Sequence, residues 1–205
     1  MQSENPAKEA RITFTEWLRN RFRGVLDPIG RFLNRLGLYP NTLTLVGLSG
    51  NLVASVLIAQ GKFLIGGLIV LAMGPIDALD GTMARLRGEA SEFGAFVDSV
   101  SDRYSELIIL GGILAHYLMA GDALYAGITY LAAAGSVLVS YAKARAESLG
   151  FQAKGGILTR VERYLVIMPS LILGYPQVGV AIIALLANVT ALQRIYVVRR
   201  QARRK

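Results

Sequence analysis

The chain has 205 residues, of which 53% are hydrophobic, a formal charge of +8 and no cysteine, and its mean hydropathy is +0.45. This composition is too apolar for a typical soluble domain of the same length and fits one polytopic membrane domain covering residues 1–205. The lack of cysteine excludes disulfides, thiolate nucleophiles and zinc–thiolate centres, so any chemistry rests on oxygen ligands and charged side chains.

The first 40 residues are charged throughout and lack the apolar core of a secretory signal, so insertion is expected to rely on internal spans. Segment 12–36 spaces Ile12, Trp17, Leu18, Phe22, Val25, Ile29, Phe32 and Leu36 in a helical rhythm with arginines between them. It is predicted to be an amphipathic interfacial helix, broken near Asp27-Pro28; the other reading is a soluble helix packed on the membrane-flanking loops. Six apolar runs follow, at about 42–60, 63–84, 93–119, 123–142, 157–174 and 176–197, each near the ~20 residues that a bilayer requires. The predicted fold class is therefore all-α integral membrane, with six transmembrane helices. Gly61-Lys62, Ala120-Gly121-Asp122 and Gly174-Tyr175-Pro176 supply tight turns on one side, and longer polar links lie on the other.

Of the 22 Lys and Arg residues, only Lys62 falls on the side of the tight turns. The positive-inside rule then makes both termini cytoplasmic, in a multi-pass protein of the cell membrane. Because the basic residues are not interleaved with exposed aromatics in a soluble segment, the charge predicts no nucleic-acid partner. The tail RRQARRK suits anionic membrane lipids.

Four aspartates in DALDGTMARLRGEASEFGAFVDSVSD lie at the C-terminal end of the second apolar run and the N-terminal end of the third. A carboxylate at membrane depth costs about 2.5 kcal/mol or more, so four together call for a compensating partner. Asp77 and Asp80 are three apart and Asp98 and Asp102 four apart, so each pair shares one face of its helix. The short link RLRGEASEF lays the two helices side by side at the cytoplasmic end, where the four carboxylates are expected to converge. Oxygen ligands suit hard cations, and four carboxylates can hold two of them, Mg²⁺ or Mn²⁺, for phosphoryl chemistry. Gly81, Ala84 and Gly94 open room for a ligand between the helices, although Gly94 equally suits close helix packing. Arg85 is either a phosphate ligand or a flanking positive charge.

The pattern DALDGTMAR, eight residues and then GAFVDSVSD resembles the DxxDGxxAR…GxxxDxxxD signature of the CDP-alcohol phosphotransferase family at every fixed position. The resemblance implies a membrane transferase that moves the substituted phosphate of a CDP-linked donor, usually CDP-diacylglycerol, onto an alcohol with release of CMP. It implies that Asp77, Asp80, Asp98 and Asp102 bind the metals and that Asp102 is also the general base. Gly81, Arg85 and Gly94 would line the nucleotide pocket, and a homodimer is implied. PNTLT matches a PNxLT-like sequence of the family and brings Asn41 and Thr44 near the nucleotide, unless Asn41 is an ordinary helix N-cap.

The acceptor is addressed by SYAKARAESLG and GGILTRVERYLVI, where Lys143, Arg145, Arg160 and Arg163 stand near the cytoplasmic ends of spans four and five. Such cations either orient a phosphorylated acceptor or are positive-inside flanking charges. The stretch resembles bacterial phosphatidylinositol-phosphate synthases, whose YxKARAE-like and ERxER-like sequences supply an inositol-phosphate pocket. TRVER departs from ERxER at its first residue. By that resemblance Lys143 and Arg163, joined by Arg194, bind inositol 1-phosphate. The alternatives are glycerol 3-phosphate as acceptor and, in a different class, a divalent-metal transporter. Glu106 is expected to pair with a basic group or to support the site, and His116 to lie at the far interface. The small residues Gly111, Gly112 and Ala132 to Ser136 suit close helix contacts, including those of a dimer.

Overall fold

A computed structural model describes residues 14–89, 91–153 and 155–203, without the side chains of 14–21 and 23. The described residues form seven helices and no strand: α1 (Phe14–Arg35), α2 (Pro40–Ala59), α3 (Phe63–Arg87), α4 (Glu92–Met119), α5 (Ala123–Ser148), α6 (Arg160–Ile172) and α7 (Pro176–Ala202). Ile12, the side chains of Trp17 and Leu18, and the last two tail residues lie outside the described residues. Each predicted apolar run falls on one of α2 to α7. Gly61, Gly121 and Gly174 turn the chain with φ of 79°, 72° and 77°, a region that only glycine enters without steric cost.

Four helices, α2, α3, α5 and α7, are long and apolar enough to cross a membrane. α4 is long, but its first 15 residues carry Glu92, Asp98, Asp102, Arg103 and Glu106. α6 has 13 residues, fewer than predicted for 157–174, because Thr159 in extended conformation starts it late and Gly174 stops it.

One apolar cluster, including Ile58, Val70, Ile113, Val139, Leu171 and Ile183, joins α2 to α7. α4 meets α2 closely at Gly112, where a Cβ would stand 2.5 Å from the carbonyl oxygen of Ser55. Gly112→Val is therefore expected to destabilise the protein by about 1–3 kcal/mol, read as a lower melting temperature in detergent. The α5 small residues serve the same purpose within the chain. Ala132, Gly135 and Ser136 are buried, and Gly135 abuts Ala187 and Asn188 of α7. These positions make the close helix contacts expected of them within the chain.

A second cluster of Leu43, Leu79 and Met83 receives Leu26, Leu33 and Leu38, and so seats α1 on the C-terminal half of α3. Asn34 Nδ2 donates to the Met83 carbonyl at 3.3 Å. Arg87 donates to Asn34 Oδ1 at 2.7 Å and to the Leu38 carbonyl at 2.6 Å. The predicted break at Asp27-Pro28 does not occur: α1 continues through Pro28. Leu26, Gly30 and Leu33 pack on α3 from both sides of the proline, which offsets the roughly 3 kcal/mol cost of an interior proline. The outer face of α1 exposes Phe22, Val25, Ile29, Phe32 and Leu36.

Candidate active site

The second half of α3 and the first half of α4 carry the aspartates. α4 begins at Ser91, whose hydroxyl accepts the Gly94 N–H at 3.0 Å, a side-chain cap that fixes where Asp98 and Asp102 fall on the helix. Carboxylate oxygens of Asp77, Asp98 and Asp102 lie within 4.8 Å of one another. Asp80 is outside that trio. It is buried, and its two oxygens accept from Thr44 Oγ1 at 2.6 Å and the Gly81 N–H at 2.5 Å. The expected convergence of four carboxylates is thus a cluster of three, with the fourth tied to α2 by a hydroxyl that the separate spans could not reveal.

Three observations suit a hard divalent cation. The donors are all oxygens, and three of them are close enough to share an ion. Asp102 Oδ1 is buried and has no hydrogen-bond partner among the described residues, so it is an acceptor awaiting a donor or an ion. The cluster already attracts positive charge, since Arg160 forms ion pairs with both Asp77 and Asp102 and Arg103 approaches Asp102 at 3.6 Å.

The positions expected around the nucleotide lie on the same end. Thr44 contacts Asp80. Asn41 is exposed at the second position of α2, whose N-cap is Tyr39, so Asn41 is not the cap. Gly81 is exposed, with open space where a Cβ would stand, and Ala84 is half-buried. Among the described residues a Cβ at Gly94 would meet only Ser91, so no described partner helix explains its lack of a side chain. Arg85 pairs with Asp27 of α1 at 3.1 Å, which places its guanidinium between α1 and α3.

Each of the expected acceptor residues already has a protein partner. Arg163 is 1% exposed and forks onto Glu106 at 2.5 and 2.8 Å, with a further bond to the Leu158 carbonyl at 3.3 Å. Its guanidinium is fully engaged by these groups, which gives Glu106 the basic partner expected for it. Arg194 is buried and holds the carbonyls of Gly155 and Val139 at 3.1 and 2.5 Å, at the edge of a cavity of about 480 Å³ between the 153–156 loop and α7. Lys143 is half exposed, 3.9 Å from Glu147. The residue that faces the carboxylates is Arg160, one turn before Arg163. Its signal in the sequence was the basic pair in TRVER, but spacing alone did not say which arginine turns inward. His116 lies at the opposite end, 3.4 Å from the Ala59 carbonyl and edge-on to Phe63.

A family model described as CDP-alcohol phosphatidyltransferase matches residues 37–193. The chain is 38% identical over 182 residues to the archaetidylinositol phosphate synthase of Pyrococcus horikoshii, covering 87% of this chain and 93% of that one. It is also similar to the crystal structure of Mycobacterium tuberculosis phosphatidylinositol phosphate synthase with CDP-DAG bound, with a TM-score of 0.79, 30% identity and coverage of 85% of this chain and 93% of that one. The structure of the same mycobacterial enzyme with manganese and citrate matches at the same TM-score and identity, over 85% of this chain and 88% of that one.

Proposed function

Because this chain belongs to the CDP-alcohol phosphatidyltransferase family, we propose that it transfers the phosphatidyl group of a CDP-diacylglycerol-type lipid to inositol 1-phosphate and releases CMP. Family membership makes it a membrane transferase of phospholipid biosynthesis and sets the transporter reading aside. The observation that carries the proposal is the trio Asp77, Asp98 and Asp102 with Arg160 across it, since it joins metal-binding carboxylates to a cation suited to a phosphorylated acceptor. Inositol 1-phosphate is favoured because the relatives above are named synthases of inositol phosphate lipids.

Asp77, Asp98 and Asp102 would hold the first of two divalent ions, Mg²⁺ or Mn²⁺, and Asp80 would join them by releasing Thr44. The manganese complex of the mycobacterial enzyme supports a metal. When bound, the ions supply Lewis-acid polarisation of the bridging phosphates and charge neutralisation for the departing nucleotide. Asp102, with one oxygen unpartnered, accepts the acceptor hydroxyl proton as the hydroxyl oxygen attacks the lipid-proximal phosphorus. The bond from that phosphorus to the bridging oxygen breaks, and CMP leaves with the electron pair. Thr44, Gly81, Ala84 and Gly94 border the nucleotide with Asn41. Arg85, held by Asp27, orients the donor phosphates. Lys143 and Arg160 receive the acceptor phosphate, while Arg163 and Arg194 hold the walls behind them.

We read α2 to α7 as six spans, with α4 and α6 crossing inside the bundle where their neighbours cover the polar groups. The exposed stripe of α1 then lies in the cytoplasmic interface, and the termini and site face the cytoplasm because all basic residues but Lys62 lie at that end. Chelation by EDTA is expected to abolish CMP release from the membrane-reconstituted protein and Mg²⁺ or Mn²⁺ to restore it; activity that survives exhaustive chelation would refute the metal reading. Lys143→Gln is expected to raise the apparent KM for the acceptor about tenfold, with that for the donor nearly unchanged. Equal changes in both would remove Lys143 from the acceptor site.

A further inference from the structure

Arg160 is the first residue of α6. A cation there faces the positive end of the helix dipole, which disfavours it. Its position is explained by what lies opposite: Asp77 from α3 and Asp102 from α4, each in contact with a different nitrogen of the one guanidinium. The Tyr164 ring lies beneath it, 5.5 Å from Cζ. One turn further, Arg163 is locked to Glu106 and to the Leu158 carbonyl, so the start of α6 is fixed. The Arg160 side chain is not, because it is about one third exposed and has rotatable bonds that let it swing toward solvent.

We propose that Arg160 is a resident counter-ion of the carboxylate cluster, which withdraws from Asp77 and Asp102 when a divalent cation is loaded and thereby becomes available to an anionic substrate. The proposal rests on the reading of this cluster as the metal site. The physical reason is competition for the same oxygens: Arg160 pairs with Asp77 and Asp102, two of the three carboxylates that would ligate the ion. A lysine could relieve the repulsion by losing its proton, whereas a guanidinium cannot. Arg160 must therefore move, and the phosphate of an acceptor is the nearest replacement for the carboxylates it gives up. Metal loading and acceptor binding become coupled through one side chain.

The test is Mn²⁺ binding to the full-length protein in lipid nanodiscs, without substrate, followed by electron paramagnetic resonance. Arg160→Gln is expected to bind Mn²⁺ about tenfold more tightly than the wild type, the size of a modest coupling between two ligands, while Asp98→Asn binds it more weakly. On the wild-type protein, phenylglyoxal labelling of Arg160, read by mass spectrometry, is expected to rise when Mn²⁺ is added. This second measurement decides the matter if Arg160→Gln does not fold. Binding that depends on Asp98 but is no tighter in Arg160→Gln, or labelling that stays constant with Mn²⁺, overturns the counter-ion role alone. Failure of every form to bind Mn²⁺, or undiminished binding in Asp98→Asn, overturns the metal site and the counter-ion role with it.

Discussion

Asp102→Asn is expected to lower CMP release by about 10²- to 10⁴-fold, the usual contribution of a positioned general base, and to leave the melting temperature close to that of the wild type. The two side chains have the same shape, so the packing of α4 against α2 and α5 is preserved. What changes is charge and basicity. The buried Oδ1, which has no hydrogen-bond partner, becomes part of an amide that cannot accept the hydroxyl proton, and Arg160 loses one of its two carboxylate partners. Asp98→Asn separates ligation from proton transfer, because Asp98 belongs to the same trio without the proposed role of base. Its activity is expected to recover at high Mn²⁺, whereas that of Asp102→Asn is not. Full activity in Asp102→Asn would remove the base from this account.

Glu106→Ala or Arg163→Ala is expected to destabilise the protein by about 3–5 kcal/mol, the cost of leaving one member of a buried ion pair alone. The two groups bury each other between α4 and α6, with Arg163 1% exposed and both of its carboxylate bonds short. Replacing both residues with apolar side chains of similar volume, Glu106→Leu with Arg163→Met, is expected to recover much of the thermal stability. Activity is not expected to recover with it, because Arg163 also ties down the Leu158 carbonyl at the start of α6, and so the backbone from which Arg160 reaches the aspartates. A double variant with wild-type activity would show that the pair only fills space.

Much of this site was legible in the sequence because its chemistry is local. The three- and four-residue spacings of the aspartates fix their helix faces, and the short link keeps the two helix ends near each other, although α3 and α4 both pack mainly on α2 rather than side by side as expected. The positions of α2 to α7 followed from apolar run length and from glycine turns. The rest depended on contacts between segments far apart in the chain. Thr44 and Asp80 are 36 residues apart, and nothing in either helix indicates that the hydroxyl reaches that carboxylate. Arg160 and Arg163 are equally basic and one turn apart, so which of them faces the aspartates depends on where α6 begins and how it leans on α4. That start is set by Thr159 and the Gly155-Gly156 loop packed on Thr190, a contact with α7 that periodicity does not encode. Pro28 was read as a break from local propensity alone, whereas the packing of α1 on α3 overrides it.

The most direct measurement is CMP release by the protein reconstituted with CDP-diacylglycerol and Mg²⁺ and offered inositol 1-phosphate, glycerol 3-phosphate or unphosphorylated inositol in separate reactions, with the lipid product identified by mass spectrometry. The expected result is CMP release with inositol 1-phosphate and formation of phosphatidylinositol phosphate. CMP release with glycerol 3-phosphate alone, or with no alcohol in the panel, would contradict it.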